Sequence, residues 1–169
     1  VLYKNEGEND RVLKTISVPE NVNKLRLVDG QYPSKDDECV IDAKMGDVKI
    51  GDTIEVSDEN TDSTKAMMKT KTFTVVGTVN SPLYINFERG TTTLGNGRIA
   101  GFVYISPDAV ESDYYTDVYV AFDQKFDLYA DEYDDFIDGK KDELDSICKT
   151  RVLDRYKDIL MSKGMTENM

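Results

Sequence analysis

Histidine and tryptophan are absent from the 169 residues, and cysteine occurs only twice. Without histidine there is no Ser-His-Asp or Cys-His nucleophile, and no zinc or iron held by imidazole. Cys39 and Cys148 form no Cys-x-x-Cys pair and predict no metal centre. Both lie in apolar patterns, which favours two small buried side chains, while a disulfide between them stays open.

Positive charge is also scarce: the chain has 21 lysines and arginines but 33 acidic residues, which gives a net charge of −12. Such a chain does not neutralise phosphates in bulk, so nucleic acid is not expected as a partner. The same charge argues against binding to an anionic lipid surface. The acidity is typical of a soluble, solvated surface.

Long apolar runs are missing as well, and no signal peptide is visible in the sequence. The chain starts without methionine and ends in the polar stretch SKGMTENM. We therefore expect an excised soluble piece of a longer protein.

The glycine-rich stretch GTVNSPLYINFERGTTTLGNGR, residues 77–98, lacks the lysine of a phosphate-binding loop. Gly95 is followed by Asn96 and Gly97, and the stretch leads into a strand rather than a helix, so no nucleotide site is predicted. The sequence favours a long connection between strands in which Gly95-Asn96-Gly97 forms the turn. Whether it is an ordinary loop or one that contacts another protein stays open. The candidate contact residues are Tyr84, Phe87, Arg89, Thr91 and Asn96.

Calcium and acid-pair catalysis are the remaining chemical alternatives. Asp58, Asn60 and Asp62 are spaced as in an EF-hand, but Ser63 replaces the glycine and Lys69 the final glutamate. A solvated hairpin tip is the favoured interpretation. A hydrolase with two carboxylates also needs one with a raised pKa in a cleft, and no local motif supports it. The sequence therefore predicts no catalytic residue, no metal ligand and no cofactor.

The pattern of apolar residues predicts strands first and one long helix last. The predicted strands are a hairpin over 1–18, then 39–42, 48–56 (a pair or one kinked strand), 70–79, 100–106 and 117–123. In the strongest strand, Phe73, Val75, Gly77 and Val79 share one face. A short helical turn is expected at Pro19-Glu20. The fold class is α+β, with a mostly antiparallel β-rich core.

From Asp127 the apolar period changes to three and four, which predicts a long amphipathic helix, broken or unbroken near Gly139. The expected stripe comprises Tyr129, Tyr133, Phe136, Leu144 and Ile147, extended by Leu153, Tyr156 and Leu160. The predicted organisation is a hairpin and connector (1–32), a β-rich subdomain (33–107), a strand returning to the core (108–126) and the helix (127–169).

Several segments in order resemble a known family. LVDGQYPSKDDECVID is followed by VKIGDTIEV and then FTVVGTVNSPLY, and the set is similar to the MacB-type extracytoplasmic core domain of FtsX-like ABC transporter permeases. The residues that fill this pattern are Gly30, Pro33, Glu38, Val40, Gly51, Asp52, Phe73, Val75, Val76, Gly77 and Val79. The continuation resembles permeases of Gram-positive anaerobes, in which the domain runs on into a coiled coil.

The resemblance implies a noncatalytic domain on the extracellular face of the plasma membrane, within a membrane-anchored permease. Its partners would be a separate cytoplasmic ATPase subunit, a second permease copy, and an extracellular peptide, lipid-linked or protein substrate. It also implies that the motif residues build the scaffold and carry no chemistry. The alternative is a free-standing cell-surface adhesin or ligand-binding module.

Overall fold

The alternation of buried and exposed residues builds seven strands before the long helix. The computed structural model describes residues 1–5, 10–112, 115–127 and 130–164. Its elements are β1 (Leu2–Asn5), β2 (Arg11–Ser17), β3 (Arg26–Gly30), β4 (Glu38–Asp42), β5 (Thr53–Val56), α1 (Asp62–Met67), β6 (Thr72–Asn80), β7 (Gly101–Ile105), a 3₁₀ turn (Pro107–Ala109) and α2 (Asp131–Ser162). The chain divides into two compact units, residues 1–120 and 121–169.

Six strands close into a ring in the order β6-β4-β7-β2-β1-β5, because β5 pairs with β1 and also with the start of β6. Strand β3 pairs with the end of β6. The pairs β2–β7 and β4–β6 are parallel, and the other five are antiparallel. The predicted α+β class with a mostly antiparallel core is confirmed.

The closed sheet buries apolar residues on both faces. The larger cluster, which includes Tyr3, Leu13, Ile41 and Phe73, contains side chains from six strands. The second lies on the other face of β4 and β7 and consists of Leu25, Val40, Val79, Phe102 and Tyr104. Because β4 and β7 are buried on both faces, each contains a continuous apolar run, 39–41 in β4 and 102–105 in β7, rather than an alternating pattern.

A β-bulge in β6 changes which face its side chains occupy. Cys39 pairs with Val75 and Val40 with Gly77, so Val76 is an extra residue. The prediction that Phe73, Val75, Gly77 and Val79 share one face is therefore wrong. Phe73 and Val75 belong to the larger cluster, whereas Val79 belongs to the second.

Two predicted elements are not present. Residues 117–123 form no strand, although their composition favours one, because no strand of the described sheet pairs with them. Residues 20–23 form bends rather than a helical turn. The stretch 48–56 is one short strand after a turn, and the polar segment before β6 contains α1, which the sequence did not predict.

Helix α2 confirms the predicted C-terminal helix and runs unbroken through Gly139. Tyr129 lies outside the described residues. The helix is described throughout, and none of its residues is buried. At 100° per residue, Leu153 and Leu160 lie about 200° and 180° around the axis from Tyr133, which corrects the expected single stripe. Within the described part of the chain, neither helix is both long and apolar enough to span a membrane.

The two thiols are free, with Cys39 buried in β4 and Cys148 exposed on α2. Burial raises the pKa of the Cys39 thiol to about 12. Cys39 is therefore a protonated apolar side chain of the core, as the sequence predicted. The same prediction is wrong for Cys148, which solvent reaches.

Candidate functional site

The segment between β6 and β7, residues 81–100, is here called the β6–β7 loop, and a buried ion pair anchors it. Asp42 ends β4, and its carboxylate accepts two hydrogen bonds from Arg89, from Nε to Oδ2 at 2.5 Å and from Nη2 to Oδ1 at 3.1 Å. Only 5% of the Arg89 side chain and 2% of the Asp42 side chain are exposed. Arg89 also donates to the carbonyl of Asn86. The loop is thus joined to the end of a core strand.

Aromatic rings support the same arginine. Tyr84 stacks on Phe102 of β7 with ring centroids 4.9 Å apart. The Arg89 guanidinium carbon lies 5.6 Å from the Tyr84 ring centroid and 5.5 Å from that of Phe102. These distances allow cation–π attraction to both rings. Arg89 is therefore held by a carboxylate and by two aromatic rings.

The start of the loop is fixed by Ser81, which is buried. Its hydroxyl and the Tyr104 hydroxyl are hydrogen-bonded at 2.7 Å, and its carbonyl accepts from the Tyr84 amide at 3.1 Å. Burial raises the pKa of both tyrosines, and the nearby Tyr119 raises that of Tyr84 further. Both tyrosines are therefore neutral, and the Tyr104 hydroxyl anchors the start of the loop through Ser81.

Between these anchors, two large apolar side chains point into solvent. Ile85 is 89% exposed and Phe87 is 87% exposed. The ammonium of Lys44 lies 4.0 Å from the Phe87 ring centroid, just beyond the end of β4. The loop thus presents an aliphatic and an aromatic group beside a positive charge.

The second part of the loop is a small hairpin. Thr91 and Arg98 form a β-bridge, and the Gly97 amide donates to the Leu94 carbonyl at 3.0 Å. Gly95 and Gly97 have positive φ angles, and the Asn96 side chain accepts from the Arg98 amide. The predicted turn at Gly95-Asn96-Gly97 is confirmed.

The five residues predicted as partner contacts therefore differ in their surroundings. Phe87, Thr91 and Asn96 are exposed, Tyr84 is half-buried, and the Arg89 side chain is buried. Sequence reasoning missed Ile85, although an isoleucine between polar loop residues was a visible signal. It also missed Asp42, which is 47 residues from Arg89 and gives no local signal.

The segment with EF-hand-like spacing, residues 58–62, has a structural role through Asn60. The Asn60 side chain is buried, accepts from the Leu2 amide at 3.0 Å and donates to the Leu2 carbonyl at 2.8 Å. It thus pairs with β1 as a neighbouring strand would. Across the described ranges, no group of three or more acidic or cysteine side chains could hold a metal ion.

Comparison with models of protein families, with curated proteins and with solved structures finds no match to this chain.

Proposed function

We propose that the chain is the noncatalytic extracellular domain of an FtsX-like ABC transporter permease, in which a separate cytoplasmic subunit hydrolyses ATP. The closed sheet is the scaffold, and the β6–β7 loop is the surface that contacts an extracellular partner or substrate. The observation that carries the proposal is the near-complete exposure of Ile85 and Phe87 on a loop that Ser81, Tyr84 and Arg89 anchor to the core.

The energetics of the loop support a binding role. Large apolar side chains exposed together mark interaction surfaces more often than chance, and aromatic residues carry much of the energy at protein interfaces. Because Arg89 and Tyr84 already fix the loop backbone, little conformational entropy remains to be lost on binding. The loop is therefore preorganised for a partner.

The residues of the resembled motif support the scaffold part of the proposal. The Gly51 amide donates to the Val75 carbonyl at 2.8 Å, and the Asp52 carboxylate accepts from the Lys49 amide at 2.9 Å. Gly51 has a φ of 97°, which favours glycine. These residues build the turn before β5 and bind it to β6.

A cysteine placed at position 62 offers a direct test in cells that produce the full-length protein, because the Asp62 side chain is fully exposed. In a Cys148→Ser background, a membrane-impermeant maleimide should label Asp62→Cys in intact cells, because the proposal places this domain outside the membrane. The Cys148→Ser parent is the matched control and should lack this labelling. Labelling that requires permeabilised cells would contradict the proposal.

The coding sequence around this segment separates the permease from the alternative. Apolar spans of about 20 residues on both sides support the permease. A signal peptide and a wall anchor around the segment would instead identify an adhesin.

A further inference from the structure

Every fourth residue of α2 is apolar along much of its length. The residues of this ridge are Leu144, Cys148, Val152, Tyr156 and Leu160. Four residues turn the helix by about 400°, so the ridge advances about 40° per step and winds around the axis. Such i±4n ridges are the surfaces that interdigitate when two helices cross. The spacing therefore indicates a helix-packing surface.

Little of the ridge is covered in the described residues. Phe136 lies two steps before Leu144 in the same series, with Lys140 between them. Its ring contacts those of Phe122 and Phe126, with ring centroids 5.2 and 5.0 Å apart. Beyond it, Val152 is 67% exposed and Tyr156 is 56% exposed. Apolar groups at this spacing and exposure are available to a partner.

Charge along α2 indicates which partner fits. Residues 131–146 contain eight acidic and two basic side chains, whereas residues 147–162 contain two acidic and four basic ones. The first turn is acidic, with Asp131, Glu132 and Asp134, as the helix dipole favours, whereas the last turn carries no basic residue. A reversed copy of the same helix would set each acidic half beside a basic half. A parallel copy would instead set the acidic halves side by side.

We propose that α2 is a self-association surface and packs antiparallel against α2 of a second copy of this chain. Because both partners use the same surface, a two-fold axis passes near the middle of the helix, close to Cys148. Interdigitation of the two ridges centres the contact on Leu144, Cys148 and Val152. This inference depends on residues 131–162 alone and is independent of the proposed transport function.

The mass of the full 169-residue chain in solution tests the association. Sedimentation velocity should show a concentration-dependent species of twice the 19.1 kDa monomer mass. Val152→Glu should weaken the dimer at least about tenfold, because it buries an uncompensated charge. Met161→Glu is the matched control, since Met161 is 75% exposed and lies on the opposite side of the helix from Val152. It should leave the dimer intact.

Circular dichroism should show equal helix content in both variants, which separates lost association from lost folding. A monomer at every concentration would overturn the proposal. Equal effects of the two substitutions would also overturn it.

Disulfide trapping tests the orientation. Leu144→Cys and Val152→Cys are made separately in a Cys148→Ser background, and the two proteins are mixed and mildly oxidised. An antiparallel pair brings position 144 beside position 152 and gives the mixed disulfide. Predominance of 144–144 and 152–152 products would show a parallel pair and contradict the proposal.

Discussion

Arg89 and Asp42, 47 residues apart, form a two-point ion pair with 2.5 and 3.1 Å contacts, and both side chains are almost wholly buried. Desolvation makes such a pair a weak source of net stability, but removal of one partner leaves a buried charge without compensation. The pair therefore fixes where the β6–β7 loop lies more than it adds to the stability of the sheet.

Arg89→Met should destabilise the protein by about 3–5 kcal/mol, because the Asp42 carboxylate stays buried without its partner. The double variant Arg89→Met with Asp42→Asn should recover part of this loss. Urea unfolding of the two single variants and the double variant measures the coupling.

The fully exposed Asp62, which pairs with Lys65, provides the control. Asp62→Asn should cost about 1 kcal/mol or less. An Arg89→Met variant as stable as this control would show that the ion pair does not anchor the loop.

Gly77→Ala should destabilise the pairing of β3 with β6. A Cβ at position 77 would lie 2.5 Å from the carbonyl oxygen of Gln31 and 2.9 Å from that of Asp29. Backbone atoms cannot rotate away, so the two strands must separate, at a cost of about 1–3 kcal/mol or more. Gly46→Ala is the control, since nothing lies within 4 Å of its added Cβ. Equal melting temperatures of the two variants would refute the close approach.

Glu38 should contribute a pH-dependent share of stability. Its carboxylate accepts from the amide and hydroxyl of Ser34 at 2.8 and 3.0 Å, and the Ser34 amide is the main cause of its lowered pKa. A lowered folded pKa means that the contribution is present above the unfolded pKa of about 4.3. It is lost as the pH falls through the lower folded value.

The stability difference between wild type and Glu38→Gln should therefore be largest near neutral pH and should shrink in acid below the unfolded pKa. Denaturant unfolding of both proteins at a series of pH values checks this. A difference that stays constant down to strongly acidic pH would contradict the assigned role of the carboxylate.

Local patterns predicted the elements that local chemistry determines. Strand β6, the Gly95-Asn96-Gly97 turn and the long helix were all visible in the sequence. The strand predicted at 117–123 is absent because no strand of the described sheet pairs with it, and composition does not reveal pairing partners. The single face expected for the alternating residues of β6 was wrong for a similar reason, because the bulge at Val76 depends on the pairing of β6 with β4.

The candidate site was only partly predictable for the same reason. The β6–β7 loop was identified from its aromatic and basic residues, but sequence cannot separate an arginine that anchors a loop from one that faces a partner. That distinction depends on Asp42, which the fold brings to Arg89 from β4. The contact prediction therefore applies best to Phe87, together with Ile85.

The activity of the full-length protein in cells, with Ile85 and Phe87 both changed to Ser, tests the central claim most directly. Because the two side chains are almost wholly exposed, the variant should keep wild-type melting temperature and cellular level yet fail to restore the function lost on deletion of the gene. Ile50→Ser, at a site 42% exposed on another turn, should restore it. Full function of the double variant would contradict the claim that this loop is the contact surface.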